Sequence, residues 1–387
     1  MMDKPTDLSL GALAPRVVRR QLAIPFFFFL LGLLYASWVA RIPAIRDHLH
    51  LDTATLSMVL LCFGIGGIAS FPLAAWLNAH YGARRTAWYT GLILLLSLPG
   101  LGYVSSLPAL MLLSTVVGAA SCCFDVAINT LGIAVEKQSG RPIISLLHAW
   151  YCVGIFSGSL LGSAAAFFEV MPLWHFLALS VLLSVPLCWG CKALPDDRPA
   201  PDPERRIFAI PQGHLAVLGL IVFCCAIVEG SIADWSGLYM KDHMGADDSD
   251  APLAYAAFAG MMLLVRLVGD RFKERWGARR MVGWGALLAS VSVFVAVAAV
   301  NIPMVILGFA MAGAGVAVAF PFVVSAAGRH GTVALAGVAT LGYSGSLAGP
   351  PVIGFLAHGF GLPAALVFIG VLCCAAALAA SRARWLE

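Results

Sequence analysis

The sequence predicts an all-α membrane protein of twelve transmembrane helices, arranged as two pseudo-symmetric six-helix bundles. Three observations predict it: too little charge for a water-soluble surface, twelve apolar runs of membrane-spanning length, and a repeat relating the first six runs to the last six. Soluble domains carry about a quarter of their residues as Asp, Glu, Lys and Arg. Here the charged fraction is 11%, against 60% hydrophobic residues and a mean hydropathy of +0.90. Most of the chain must therefore face lipid.

A helix rises about 1.5 Å per residue and needs about 20 apolar residues to cross the hydrocarbon core. In chain order the runs are 21–40, 54–76, 87–104, 107–135, 143–167 and 171–191, then 214–240, 252–269, 281–300, 302–327, 333–357 and 361–380. Segments of about ten residues with alternating polarity, the mark of an outer-membrane barrel, are absent. Backbone groups in lipid need internal partners, so each run is expected as a helix. Residues 1–15 are polar, interrupted by Pro5 and Pro15, and no small-residue cleavage site follows the Phe26–Leu34 run, so they are expected as a cytoplasmic tail. Residues 193–213 hold five prolines among mixed charges and read as a linker. They divide the chain into an N-terminal bundle, 16–192, and a C-terminal bundle, 214–387.

Orientation follows from Lys and Arg, which favour cytoplasmic segments. With the N-terminus inside, only Arg41, Arg46 and Lys241 of the 24 basic residues fall in outer segments, and Arg266 lies within a span. Both termini are expected in the cytoplasm. The net charge of +4 reflects that bias and implies no nucleic-acid partner. All ten cysteines lie in the predicted spans, which excludes a disulfide framework in loops. Cys188 and Cys191 have metal-like spacing but lack two further ligands, so neither a metal nor a cofactor is expected.

The repeat is explicit. Tyr81-Gly82-Ala83-Arg84-Arg85 after the second run returns as Trp276-Gly277-Ala278-Arg279-Arg280 after the eighth, 195 residues on. Ala36-Ser37-Trp38 in the first run matches Ala233-Asp234-Trp235 in the seventh, 197 residues on. Two matches at nearly one offset indicate a duplicated six-helix unit. An even helix count keeps the halves in one orientation, about an axis along the membrane normal.

These basic Gly-x-Arg-Arg loops resemble the loop signature of the major facilitator superfamily. The copy running from Gly269-Asp270-Arg271 to Arg280 is the fuller; in the first, Asn78-Ala79-His80 stands where an acidic–basic pair is usual. Four segments resemble the YbjJ-type branch more specifically. They are Ala36 to Asp47, Asp125 to Glu136, Leu147 to Gly154 and Glu229 to Ser236. More distantly, Asp125–Asn129 and the fifth run resemble stretches of fucose-permease-like sugar–proton symporters. The resemblance implies the major facilitator fold in a bacterial inner membrane and a monomer that moves a small polar, sugar-like solute by alternating access. It also implies coupling to protons, with the lipid bilayer as the protein's other partner.

Charged side chains inside a span cost about 2.5–3.5 kcal/mol on insertion scales, so each needs a reason. At about 100° per residue, Asn129, Gly132 and Glu136 fall within about 40° of Asp125, a polar stripe expected to face a wet interior. A carboxyl that alternates between dry and wet surroundings takes up and releases a proton. Asp125 and Glu229 are the expected proton-coupling acids. Asn129, His148 and Tyr151 are expected in the substrate cavity, with Tyr35, Trp38 and Trp235 stacking on a sugar-like ring. For Trp38 and Trp235, anchoring in the aromatic belt is the competing account. Arg41 and Asp234 are expected to form an outer gate, against plain snorkelling of Arg41. Arg266 and Asp270, one turn apart, are expected to pair and brace the inner loop with Arg84, Arg85, Arg279 and Arg280.

No lysine follows a glycine, so an ATP-binding P-loop is absent and the energy source is expected to be a gradient. With no nucleophile–base or metal signature, an enzyme is not expected. An efflux carrier for drugs or amphiphiles is the alternative, since the spans are mostly apolar.

Overall fold

The computed structural model describes residues 10–139, 143–194 and 212–386. Most of the expected linker (195–211) and tail (1–9) lie outside them. The first half holds α1 (Leu10–His48), α2 (Thr53–Ala69), α3 (Phe71–Tyr81), α4 (Ala83–Tyr103), α5 (Leu107–Ser139), α6 (Ile144–Phe167) and α7 (Pro172–Ala193). The second holds α8 (His214–Leu238), α9 (Leu253–Trp276), α10 (Ala278–Ala298), α11 (Ile302–Val316), α12 (Ala319–Gly328), α13 (Thr332–Phe360) and α14 (Leu362–Arg382). α1 begins inside the stretch expected as tail.

Two expected spans are broken, each for a local reason. α2 and α3 are bent by 43° at Ser70. Pro72 stands in the first turn of α3 and has no N–H to continue the helical ladder, while the Ser70 hydroxyl donates to Gly67 O at 2.8 Å. α11 and α12 part at residues 317–318, and Pro321 follows. Proline at 321 leaves Ala317 O without its helical donor four residues on, and that carbonyl is taken up elsewhere, as shown below. Counting each broken pair as one crossing, the fourteen helices give twelve. Eight described spans are long and apolar enough to cross a membrane, nine with the bent α2–α3 pair; α4, α9 and α13 add the rest with 21, 24 and 29 residues.

Large apolar side chains point outward on many helices, among them Leu96, Leu182, Trp284 and Phe360. In water this would be an aggregating surface; in lipid it is the solvated face. The bundles meet along α2–α13, α6–α9 and α1–α8. Under the repeat, α2 corresponds to α9 and α6 to α13, so the first two contacts are copies of each other and the third pairs equivalent helices. Backbones approach closely around α13. Across the interface a Cβ on Gly64 would lie 2.7 Å from Leu347 O, and within the second bundle one on Gly230 would lie 2.6 Å from Ser346 O. Those two carbonyls are the ones Pro350 and Pro351 leave without helical donors. The repeated loops also share a conformation: Gly82 has φ 83°, ψ 151° and Gly277 has φ 77°, ψ 152°, a region that favours glycine.

Candidate functional site

Between the bundles lies a cavity of about 230 Å³. From the first half it is lined by Tyr35 on α1, Asp125 on α5, and His148 and Tyr151 on α6. From the second come Glu229 and Asp234 on α8 and Tyr255 and Arg266 on α9, with Phe320 on α12 and Tyr343 on α13.

Asp125 is approached from two sides. Asn129, one turn on, donates its amide to Asp125 Oδ1 at 2.9 Å and also to Asp125 O at 2.9 Å. The Tyr343 hydroxyl faces the same carboxyl from the opposite bundle. Asn129 does not line the cavity; it orients the acid that does, correcting the expectation that it meets the solute. The rest of the stripe has a different task. Glu136 accepts the backbone N–H groups of Ile143 at 2.7 Å and Ile144 at 3.1 Å, capping α6.

Glu229 lines the cavity without a hydrogen bond or ion pair among the described residues, and Arg266 acts on it through charge alone. The Arg266 guanidinium bridges the halves. Its Nε donates to Ala317 O at 3.1 Å, the carbonyl freed by Pro321, and its Nη1 reaches Cys152 Sγ on α6 at 2.8 Å. Arg266 thus lines the cavity wall, where the break before α12 offers it an acceptor at membrane depth. The Asp270 side chain lies outside the described residues. Of the other expected bracing residues, Arg84 and Arg85 line a separate cavity between α4 and α7, and Arg280 is exposed.

His148 lines the cavity with its ring edge-on to Phe28, 5.4 Å between centroids. Trp38 and Trp235 do not line it. Both are buried in the core, and Trp235 Nε1 donates to Pro350 O at 2.8 Å. A buried indole needs an acceptor for its N–H, and the proline-rich turn of α13 supplies one. The aromatics that do line the site from the second half, Tyr255, Phe320 and Tyr343, carry no sequence signal that separates them from packing residues.

The expected Arg41–Asp234 gate is replaced by other contacts. Arg41 is buried and donates to Val170 O at 2.5 Å, within its own half. Asp234 accepts from the Tyr35 hydroxyl at 3.3 Å, so α1 still meets this acid, but from about two turns earlier. A charged network crosses between the halves beyond that point. Arg46 grips Asp242 through both terminal nitrogens, and Lys241 donates to Asp47 at 2.5 Å and to Asp248 at 2.5 Å. Arg46-Asp47 and Lys241-Asp242 are 195 residues apart, the offset of the repeated loops. The pairing is reciprocal: each basic residue binds the acid of the other copy.

Two bundles closing on a cavity that carries charged and hydroxyl groups have the architecture of a membrane transporter. The chain belongs to the major facilitator superfamily, whose family model matches residues 22–269 and again residues 218–387. It is 33% identical over 346 residues to an uncharacterised transporter of this type from Yersinia pestis, covering 88% of this chain and 90% of that protein. It is 31% identical over 341 residues to an uncharacterised transporter of Sinorhizobium fredii, covering 86% and 89%. A third relative is the membrane protein MosC of Rhizobium meliloti, 30% identical over 355 residues, covering 90% and 86%. Among solved structures, a mutant of the nucleoside transporter NupG superimposes with a TM-score of 0.73 at 15% identity, covering 94% of this chain and 99% of that one. An inward-facing, occupied bacterial homologue of the human lysosomal transporter Spinster gives 0.71 at 16% identity, covering 94% and 95%. Both share the fold.

Proposed function

We propose that this membrane transporter moves a small polar, sugar-like solute by alternating access, coupled to protons through Asp125 and Glu229. The observation that carries the reading is the cavity itself. It brings together Asp125 from one bundle, oriented by Asn129 and facing Tyr343, and Glu229 and Asp234 from the other, Glu229 having no hydrogen-bond partner among the described residues, beside hydroxyls from both halves. An acid facing a hydroxyl across the bundle interface can link its proton to the spacing of the halves. When Tyr343 withdraws with its bundle, Asp125 loses that neighbour and its preference between protonated and charged forms changes. Tyr35, Tyr151 and Tyr255 supply rings and hydroxyls suited to a polyhydroxylated solute.

The moving units are residues 16–192 and 214–387, joined by the linker 193–213. With both termini cytoplasmic, as the Lys and Arg bias favours, the Arg46–Asp242 and Lys241–Asp47 pairs close the outer side of a bacterial inner membrane. The test is uptake into proteoliposomes under an inward proton gradient, with labelled sugars and polyols as the panel. Uphill uptake that collapses in Asp125→Asn supports the proposal. Uptake indifferent to both gradient and substitution refutes it. Proton-driven efflux of amphiphiles is the second reading, favoured by Phe28, Phe63, Phe71 and Phe320 in the cavity wall. Export of apolar cations with no response to sugars would select it.

A further inference from the structure

A second cavity, of about 380 Å³, opens between the start of α4 and the end of α7. It is lined by Arg84, Arg85, Trp88, Tyr89, Cys188, Cys191 and Lys192. It lies apart from the central site and plays no part in the transport reading. Three cations converge there, and among the described residues no carboxylate lines the wall. Among the described residues, none of the three side chains has an ion-pair partner; Arg84 meets only the Cys191 thiol, which also donates to Arg84 O at 3.5 Å.

Such a cluster is unfavourable as it stands. Arg84 and Arg85 sit in the first turn of α4, the positive end of its macrodipole, where cations are disfavoured and anions favoured. Lys192 adds a third positive charge from the last turn of α7. An anion in the cavity would offset the mutual repulsion of the three charges and the placement of the two arginines at the positive end of α4. The neighbours say what sort of anion. Tyr89 is 49% and Trp189 56% exposed on the outer faces of their helices, beside the half-buried Trp88. Tyrosine and tryptophan at a helix end mark the depth of lipid headgroups. Basic pockets between helices at that depth suit phosphodiester headgroups, and arginine binds phosphate oxygens in pairs.

We propose that this cavity holds the phosphate of an anionic phospholipid, gripped by Arg84, Arg85 and Lys192 with the acyl chains lying against α4 and α7. The ligand chemistry, a phosphate oxyanion, is shared with soluble phosphate, so the test separates the two. Full-length protein in nanodiscs of phosphatidylcholine is titrated with phosphatidylglycerol, and bound lipid is read by native mass spectrometry. The triple variant R84Q/R85Q/K192Q should bind on the order of a hundred-fold more weakly, about five-fold for each cation removed. The control R271Q/R275Q/R382Q removes three exposed cations elsewhere and should bind as the parent does.

A second readout needs no variant. Cys188 is the exposed cysteine among the described residues and lines the cavity, so phosphatidylglycerol should slow its maleimide labelling relative to phosphatidylcholine. Equal losses in both triple variants, or labelling indifferent to lipid, would overturn the proposal. Protection by millimolar inorganic phosphate but not by phosphatidylglycerol would assign the site to soluble phosphate and overturn the lipid.

Discussion

Removing the two cations of the outer network, in R46Q/K241Q, should loosen the contact between the bundles at that end and leave the fold intact. Two pairs cross the interface, Arg46–Asp242 and Lys241–Asp47. The basic side chains are 15% and 23% exposed and the acids 43%, so these pairs behave as surface ion pairs, not as buried ones. Each such pair contributes about 0.2–1 kcal/mol. Two give about 0.4–2 kcal/mol, a two- to thirty-fold change in the ratio of closed to open forms by the usual conversion. The assay is a distance distribution between spin labels at His48→Cys and His243→Cys, the repeat-related positions just beyond the network, in a background without the exposed Cys188. The variant should gain a longer-distance population, and the parent should gain it at about 1 M salt, where the Debye length is about 3 Å. Because the pairs are copies, R46Q and K241Q alone should each give a similar part of the effect. A distribution unmoved by substitution and by salt would show that apolar contacts alone hold the halves, and the gate reasoning would fail.

Gly230→Ala should destabilise the protein by about 1–3 kcal/mol, since its new Cβ would lie 2.6 Å from Ser346 O and only backbone movement can relieve it; a lowered thermal midpoint in detergent checks this, and an unchanged one would contradict the close approach. Trp235→Phe keeps an aromatic side chain but removes the N–H donated to Pro350 O, for a loss of about 1 kcal/mol without loss of the solute site. Asn129→Ala should weaken proton coupling more than solute affinity, because the amide holds Asp125 and does not line the cavity. The check is counterflow, which needs no net proton movement, measured against uphill uptake; equal losses in both would place Asn129 at the solute after all. Pro321→Ala supplies an N–H to Ala317 O in competition with Arg266, so uptake should fall while thermal stability holds or rises.

The spans were legible because lipid demands length and apolarity from every crossing segment, a signal that needs no tertiary knowledge. The duplicated loops were legible too, and their two glycines adopt nearly one conformation. Side-chain periodicity placed Asp125 toward the interior, where it lines the cavity. It could not divide labour along the stripe, since whether Asn129 faces a solute or its neighbour, and whether Glu136 caps α6, depends on rotamer and partner. Trp38 and Trp235 were misplaced for a related reason: an indole in a span suits a core, a cavity or a headgroup belt, and only the neighbours decide. The contact of Arg266 with Ala317 O, a carbonyl that Pro321 frees over fifty residues away, is one that helical spacing does not show. The outer network could have been read: Arg46-Asp47 and Lys241-Asp242 keep the offset of the loops, and attention to like dipeptides across the repeat would have found them.

That reciprocity bears on how such a chain could arise. A basic–acidic dipeptide that binds its own copy is a self-complementary patch, the kind by which two identical subunits meet across a two-fold axis. Two separate six-helix proteins carrying one such patch each would already dock as an isologous dimer, with a chamber enclosed where they touch. Joining them by a tether would then have preserved a working seam instead of inventing one, and later divergence could act on the chamber walls while the rim kept its inherited fit.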